Sequence, residues 1–327
     1  MTGHRFVIDL VSWRIIWEDL EQLLQGKECG YKSMSFMQWS SMLDDYAQSL
    51  DMEVWPVQEL SEPLITDLSL LELNTIHSTQ TLSFSLSSEL TYLLFNRCHL
   101  PFQTEAIDLM ISSLAIAYSS VFNLNKMTIR VQDHGRETWR EGIDISRTVG
   151  WFTTSHPLVV DVSLTDEPLV ILKRVKDVRR SIPANSIVYG LLCHLNKKLE
   201  SPFKEDIIQI GFNHLGSLVQ LPNQSTFFQP VESSLDLKDV DSKWRRDLVF
   251  DISTRVNHDC LYAEITFSSA LHSKDIVLQW LEAWQQSLTK VINQCSHLDT
   301  VEHTRSDFPL LRLSESAFDV LYNDILL

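Results

Sequence analysis

Two stretches in the last third of the chain place the tightest constraint on its fold. Residues 247–256 and 261–268 alternate between apolar and polar side chains, which is typical of β-strands with one buried face. Asn257-His258-Asp259-Cys260 lies between them and predicts a hairpin turn. A helix predicted at 275–294 carries apolar side chains at helical spacing: Val277, Leu281, Trp284, Leu288 and Val291. Such strands and such a helix bury their apolar surfaces against each other, so the sequence predicts a layered α/β (α+β) fold.

The rest of the chain alternates irregularly between similar patterns. Further strands are predicted at residues 6–8, 81–86, 127–131 and 149–162, the last with a break at Pro157. Further helices are predicted from Ser12 as the N-cap to Gly26, at 34–49, at 88–97, from Thr104 as the N-cap to about 122, and at 168–180. The first of these helices has the apolar stripe Ile16, Leu20, Leu23 and Leu24. Residues 51–76 contain two prolines and little periodicity, and we expect them to cross between two lobes.

The balance of charges narrows the range of partners. The chain has 27 Lys and Arg against 43 Asp and Glu, a net charge of -16, and such a field repels nucleic-acid phosphates. We interpret the one dense basic run as the solvated face of a helix in preference to a phosphate-binding patch: Lys173, Arg174, Lys176, Arg179 and Arg180. We therefore expect no nucleic-acid partner.

Cysteine spacing and hydropathy indicate a cytoplasmic protein. The five cysteines are widely spaced and form no CxxC pair, which argues against a disulfide framework and against a zinc site. No histidine pair has metal-ligand spacing on a convincing element, so we expect no metal. No apolar stretch approaches the roughly 18 residues that span a bilayer, and no secretory segment opens the chain. We expect no membrane partner.

Six short segments carry the functional signal, and they occur in a fixed order. They are residues 4–13 (HRFVIDLVSW), 133–137 (DHGRE), 144–154 (DISRTVGWFTT), 182–192 (IPANSIVYGLL), 212–216 (FNHLG) and 304–310 (TRSDFPL). In this order they resemble the HHxxxDxxSW, EGHGRE, SRTVGWFT, IPxxGxGYGLL, FNYLG and TPSDFPL segments of epimerization domains from nonribosomal peptide synthetases. These domains are relatives of condensation domains and of chloramphenicol acetyltransferase. The run at 147–154 is the most specific, because condensation domains proper carry a different signature there.

The resemblance implies a fold and a reaction. The fold would be like that of chloramphenicol acetyltransferase, with two lobes around a central tunnel. Residues 1–60 would be a remnant of the N-terminal lobe, and 61–327 a complete C-terminal lobe. The reaction would be L-to-D epimerization of an aminoacyl or peptidyl thioester that arrives on the phosphopantetheine arm of a carrier protein. The domain itself would bind no cofactor, and its partners would be a peptidyl carrier protein or neighbouring synthetase domains.

Three positions that the resemblance assigns to catalysis are substituted. Arg5 stands at the second His of HHxxxD, Gln132 at the first Glu of EGHGRE, and His214 at the Tyr of FNYLG. Arginine stays protonated and glutamine does not titrate, so neither exchanges a proton. Asp133 follows Gln132 directly, but neighbouring side chains on a strand point to opposite faces, which makes it a poor substitute. His214 titrates near neutrality and could shuttle a proton.

The residues that the resemblance assigns to the scaffold are retained. They are His4, Asp9, Ser12, Trp13, His134, Gly135, Arg136, Glu137 and Arg147. The resemblance implies that Asp9 braces its loop by an ion pair and that Gly135 allows a tight backbone. Where epimerization domains have two glycines, this chain has Ser186-Ile187-Val188, and the bulkier side chains would narrow the tunnel or stiffen a loop.

The scaffold residues are retained while the catalytic positions are substituted, and this combination leaves three hypotheses. The first is a degenerate epimerization domain, truncated at its N-terminus, that no longer turns over. The second is a non-catalytic docking module for a carrier protein or a synthetase domain. The third is a rewired enzyme that uses Arg5, His134 and His214 for acyl transfer or epimerization. General acid–base groups contribute about 10²–10⁴-fold each, so the loss of two of them favours the first hypothesis.

Overall fold

A computed structural model describes residues 7–56, 59–197, 208–217, 227, 241–311, 313 and 315–326. Within these ranges the helices are α1 (Leu10–Leu24), α2 (Phe36–Ser49), α3 (Ser88–Asn96), α4 (Ala106–Phe122), α5 (Pro168–Arg180), α6 (Ile187–Gly190), α7 (Lys274–Ser296) and α8 (Glu315–Leu326). The strands are β1 (Thr79–Ser85), β2 (Lys126–Asp133), β3 (Thr154–Asp161), β4 (Ile210–Ser217), β5 (Phe250–Asn257) and β6 (Cys260–Ser268). Helices and strands alternate irregularly, and the predicted mixed α/β class is confirmed.

These strands form one mixed sheet in the order β1-β6-β5-β4-β2-β3. β4 runs parallel to both β2 and β5, and the other neighbours are antiparallel. One face of the sheet is apolar and packs against helices. The ring of Trp280 on α7 meets Phe250 edge-on at 5.2 Å, and Trp284 meets Phe84 at 5.3 Å. The helices therefore bury one, mostly apolar, face of the sheet, and most of the polar side chains of the strands lie on the other.

Most of the predicted elements are confirmed to within three residues. Helices α2, α3, α5 and α7 and strands β1, β2, β5 and β6 occupy the predicted stretches. The hairpin turn between β5 and β6 has φ of 46° at His258 and 60° at Asp259, which gives it the twist that neighbouring strands need. β4 has no counterpart among the predicted strands, because Gly211 and Gly216 interrupt its pattern.

The start of the described chain differs from its prediction. Phe6 lies outside the described residues, and the predicted strand is wrong at Val7 and Ile8, which form none; Val7 is 65% exposed. Asp9, and not Ser12, is the N-cap of α1, because its carboxylate accepts a hydrogen bond from the Ser12 backbone N–H at 2.7 Å. The chain thus turns directly into the helix. The predicted apolar stripe is wrong at its end, since Leu23 and Leu24 are exposed.

Two further boundaries are corrected by local hydrogen bonding. The N-cap of α4 is Glu105, one residue after Thr104, and its backbone N–H donates to the Asp108 carboxylate at 2.7 Å. Pro157 does not break a strand but lies within β3, opposite Arg130 of β2. β3 is the outermost strand, where a residue without an N–H is tolerated. The strand that was predicted from residue 149 begins only at Thr154.

The segment at 51–76 leads from α2 to β1 and is fixed to the sheet by side chains. The Ser61 backbone N–H donates to the Thr128 hydroxyl at 2.8 Å. The side-chain amide of Gln209 exchanges two hydrogen bonds with the backbone of Ile65, both at 2.8 Å. This segment therefore covers part of the polar face near β2 and β4. The division into a 1–60 remnant and a 61–327 lobe remains a prediction.

The basic run on α5 is not a solvated face, so that interpretation is wrong. Each of its five cations is bound to an acidic side chain: Lys173 to Glu302 (3.2 Å), Arg174 to Asp166 (2.8 Å), Lys176 to Asp307 (2.5 Å), Arg179 to Asp108 (2.6 Å) and Arg180 to Asp307 (2.7 Å). Lys176 is 0% exposed and also donates to the backbone carbonyl of Phe102. The ion pairs of Lys176 and Arg180 bind the segment around Asp307 to α5, so these cations do not form a free phosphate-binding patch.

Replacing Lys176 with Met should lower the free energy of unfolding by about 3 kcal/mol, because the buried Asp307 carboxylate loses its closest cation. The matched control is Lys173→Met on the same helix. Its partner Glu302 is partly exposed, so the loss should stay below about 1 kcal/mol. Urea unfolding followed by tryptophan fluorescence measures both values. Equal losses in the two variants would contradict a buried ion pair at Lys176.

Candidate functional site

A line of neutral side chains crosses the polar face of the sheet at the position of Gln132. The register pairs Gln132 of β2 with Ser155 of β3 and with Asn213 of β4, and it pairs Asn213 with Ser253 of β5. Paired residues point to the same face, and neighbouring strands lie about 4.8 Å apart. We call the four side chains Ser155, Gln132, Asn213 and Ser253 the polar row. All four are partly exposed.

The side chains of the polar row carry hydrogen-bond donors and acceptors that have no partner among the residues that the structure describes. None of its four side chains forms a hydrogen bond to another residue that the structure describes. The same register line continues to Glu264 of β6, but that carboxylate is bound to Arg255 at 2.8 Å. Within the described ranges the donors and acceptors of the polar row are therefore unused.

His214 lies on the opposite face of the sheet from Gln132. It is paired in register with Thr254, which is fully buried, and the two side chains are joined at 2.8 Å from Nδ1 to Oγ1. The ring stacks against Phe95 of α3, with centroids 5.9 Å apart. Burial lowers the pKa of His214, so the neutral ring is favoured. The structure thus separates His214 from Gln132 instead of bringing them together.

Asp133 also points away from the polar row, as strand alternation predicts. Its Oδ2 lies 3.3 Å from Nδ1 of His156. Burial raises the pKa of Asp133, but the neighbouring His156 and Ser186 side chains and the charge of Arg179 together outweigh it, so the net shift is downward. Ser186 itself is fully buried, has φ of 74° and is hydrogen-bonded to the Thr154 hydroxyl at 2.8 Å. The ionised Asp133 carboxylate therefore lies beside His156, on the face of the sheet opposite to the polar row.

Arg136 binds the start of α1 to the loop that follows β2. Its guanidinium donates to Asp9 Oδ1 at 3.1 Å and to Ser12 Oγ at 2.8 Å. The same group donates to the backbone carbonyl of Thr148 at 2.8 Å and lies 4.1 Å from the ring centre of Phe152. The Ser12 hydroxyl also donates to the Gly150 carbonyl at 2.8 Å. We call this buried set the arginine clamp: Asp9, Ser12, Arg136, Thr148 and Gly150.

Other scaffold residues of the motifs have separate local roles. Gly135 has φ of 62°, and a Cβ there would lie 1.7 Å from the Phe152 carbonyl oxygen, so no other residue fits. His134 is largely exposed and lies 3.4 Å from Glu137. Arg147 binds Glu18 and Asp19 of α1.

The remaining motif residues lie at the N-terminus. Trp13 packs beside Trp17 at 6.3 Å. His4 and Arg5 lie outside the described residues.

The sequence did not single out three members of the polar row. Ser155, Asn213 and Ser253 become neighbours of Gln132 through strand register, and register cannot be read from the local sequence. The sequence held one indication of Asn213, which belongs to the FNHLG segment and directly precedes His214. A cavity of about 270 Å³ adjoins the row at the β3 edge. Its lining includes Arg130, Thr153, Ser155, Tyr189 and His194.

Comparison with known proteins identifies the family. Residues 1–309 match the model of the condensation domain. The chain is 33% identical over 332 residues to nonribosomal peptide synthetase ungA of Aspergillus violaceofuscus, and 33% identical over 335 residues to bacitracin synthase 2 of Bacillus licheniformis. Both alignments cover 98% of this chain, which spans 3% and 13% of the two relatives. The chain belongs to the condensation-domain family found in nonribosomal peptide synthetases.

Solved structures place the likeness more narrowly, on the epimerization branch. The epimerization domain from the third module of tyrocidine synthetase B matches with a TM-score of 0.74 at 26% identity, over 90% of this chain and 68% of that one. The condensation domain of the enacyloxin polyketide synthase gives 0.61 at 14% identity, over 91% and 59%, which supports the fold alone. The predicted resemblance to epimerization domains is confirmed.

Neither a membrane span nor a metal cluster is found in the described ranges. No helix there is both long and apolar enough to cross a bilayer. No group of three or more His, Cys, Asp or Glu side chains there is placed to hold a metal ion.

Replacing Arg136 with Leu should lower the free energy of unfolding by about 3–5 kcal/mol, because Asp9, which is 5% exposed, loses its counter-charge. The matched control is Arg147→Leu. Its partners on α1 are about one-third exposed, so the loss should be about 1 kcal/mol or less. Thermal and urea unfolding measure both. If the Arg147 variant loses as much stability as the Arg136 variant, the arginine clamp stabilises the fold no more than a partly exposed ion pair does.

Proposed function

We propose that this domain binds a carrier-bound aminoacyl or peptidyl thioester on the polar face of its sheet and does not epimerize it. The observation that carries the proposal is Gln132, which stands at the glutamate position of the epimerization motif in a row of neutral side chains. Epimerization removes the α-proton from one face of the substrate and returns it to the other, which needs groups that exchange protons. A carboxamide does not titrate.

No ionisable side chain takes the place of the missing glutamate in the described polar row. Asp133 points to the opposite face, where its carboxylate lies 3.3 Å from His156 Nδ1. His214 lies on the helix-covered face. Glu264 lies two strands beyond Asn213 and is bound to Arg255. Arg5, at the position of the motif histidine, stays protonated and cannot act as a base. These placements argue against a rewired enzyme that relies on His214.

Two features support retained binding. The arginine clamp keeps the loop after β2 fixed to α1, so the region beside Gln132 is braced as the motif requires. The Gln132 carboxamide can still donate a hydrogen bond to a thioester carbonyl, although it cannot take a proton. The relatives are nonribosomal peptide synthetases, so we expect a peptidyl carrier protein and neighbouring synthetase domains as partners.

The first experiment tests turnover. A carrier protein loaded with an L-aminoacyl thioester is incubated with the domain in D₂O. The released amino acid is then analysed for D-enantiomer and for deuterium at the α-carbon. We expect neither above the no-enzyme control. Enzyme-dependent D-product or deuterium incorporation would refute the absence of catalysis.

A restoration series separates lost chemistry from rewired chemistry. The triple variant Arg5→His, Gln132→Glu, His214→Tyr should gain α-proton exchange once it is joined to the third of the tyrocidine domain that this chain does not match, and the same variant without that third is measured beside it. The matched control keeps Gln132 and carries the other two changes. A rewired enzyme would instead show activity in the original chain that the triple variant leaves unchanged or lowers.

Binding is measured separately, with the same carrier in its apo and phosphopantetheinylated forms. We expect the phosphopantetheinylated carrier to bind more tightly, because the polar face offers hydrogen-bonding groups for the arm. Fluorescence anisotropy of a labelled carrier gives both dissociation constants. Equal affinity for the two forms would overturn the binding part of the proposal.

A further inference from the structure

Four polar side chains meet at the end of β2, on the face of the sheet opposite to the polar row. Asp133 is the last residue of β2 and is paired in register with Thr154 of β3. Oδ2 of Asp133 lies 3.3 Å from Nδ1 of His156, and the same carboxylate neighbours the Ser186 side chain. The hydroxyl of Ser186 is hydrogen-bonded to that of Thr154 at 2.8 Å. Because His156 and Ser186 are almost fully buried, this cluster excludes most water.

Ser186 has a backbone conformation that its side chain does not favour. Its φ of 74° lies in the left-handed region, which a residue other than glycine keeps only where its surroundings hold it. Positions 133 and 186 are both glycine in the EGHGRE and IPxxGxGYGLL motifs that this chain resembles. Two glycine positions thus carry side chains here, and these two side chains are neighbours.

The cluster is connected to the cavity of about 270 Å³ by packed rings. The ring of Trp55 lies 6.1 Å from that of His156 and 5.1 Å from that of Tyr189, measured between ring centres. Trp55 and Tyr189 are each 4% exposed, so there is little free space around them. Tyr189 and Thr154 both line the cavity. A continuous series of contacts therefore joins Asp133 to the cavity wall.

We infer that Asp133, His156 and Ser186 form a latch that holds residues 186–190 against the end of β2 and thereby fixes the wall of the cavity. We call these three side chains the aspartate latch. Burial raises the pKa of Asp133, but His156, Ser186 and the charge of Arg179 together lower it, so the carboxylate is ionised at neutral pH. The aspartate latch includes no member of the polar row and does not depend on the proposed function.

The first test removes the charge of the aspartate latch and keeps its shape. In Asp133→Asn at pH 7, amide hydrogen exchange in peptides covering residues 186–192 should become about 10-fold faster or more, because a contact with a charged group is lost. Exchange in α7 should be unchanged, since α7 is not part of the aspartate latch. Mass spectrometry of the full chain measures both regions in one sample.

The matched control is Asp161→Asn, which makes the same change at the end of β3. The Asp161 side chain is 69% exposed and lies 4.0 Å from Lys126, so exchange in residues 186–192 should stay within about 2-fold of the original. Equal acceleration in the two variants overturns the aspartate latch. Equal acceleration of residues 186–192 and of α7 in Asp133→Asn also overturns it, because that result is a general loss of stability.

A double-mutant cycle tests whether Asp133 and Ser186 act together. Ser186→Ala removes the hydroxyl and leaves the strained backbone in place. Combined with Asp133→Asn, it should raise the unfolding constant from urea titration by about 3-fold less, or lower still, than the product of the two single effects. Combined with Asp161→Asn, the two effects should multiply. Effects that multiply in both combinations overturn the inference.

Ser186→Ala alone gives a reading if Asp133→Asn fails to fold. Faster exchange in residues 186–192, with α7 unchanged, is the result that supports the aspartate latch. Unchanged exchange in residues 186–192 shows that packing alone holds the segment, and it overturns the inference.

Discussion

The contact between Arg136 and Asp9 connects parts of the chain that lie 127 residues apart, and the geometry of the site depends on it. A buried ion pair is stabilising only when further hydrogen bonds accompany it, and here the Arg136 Nε is the one atom of the pair without a partner among the described residues. Here Asp9 also caps α1 and accepts a hydrogen bond from the Phe152 backbone, while Arg136 donates to two backbone carbonyls. Because each group has several partners, the pair fixes the helix and the two loops together. The end of β2, which carries Gln132, is thereby connected to the start of α1.

The alternation of side chains along the strands then decides which residues can act together. Gln132 and Asp133 are neighbours in sequence but face opposite sides of β2, and Asn213 and His214 do the same on β4. The ionisable member of each pair lies on the helix-covered face, and the neutral member lies on the polar face. A shift of one residue in either strand would reverse this arrangement. The neutrality of the polar row is therefore a consequence of register as well as of residue identity.

Local sequence patterns predicted most of the elements but little of what surrounds Gln132. The alternation at β5 and β6 and the stripe on α7 are strong because each element buries one face. The interpretation of Lys176 as a surface residue was wrong, because its partner Asp307 lies 131 residues away. The polar row could not be predicted either, because it arises from the parallel pairing of β2 with β4, and these segments lie about 80 residues apart in the sequence. The motif resemblance identified the family because it compares segments in order and does not require their spatial arrangement.

The change from glutamate to glutamine separates two properties that the original side chain combined. A neutral hydrogen bond contributes about 0.5–1.5 kcal/mol, and a carboxamide in place of a carboxylate can still form one. Proton exchange depends on a group that titrates, and its loss costs about 10²–10⁴-fold in rate. In the function we propose, the substitution removes a large part of the catalysis while changing the capacity for neutral contacts only slightly. An intact arginine clamp beside a neutral polar row is the arrangement expected of a domain that still binds the thioester without moving its proton.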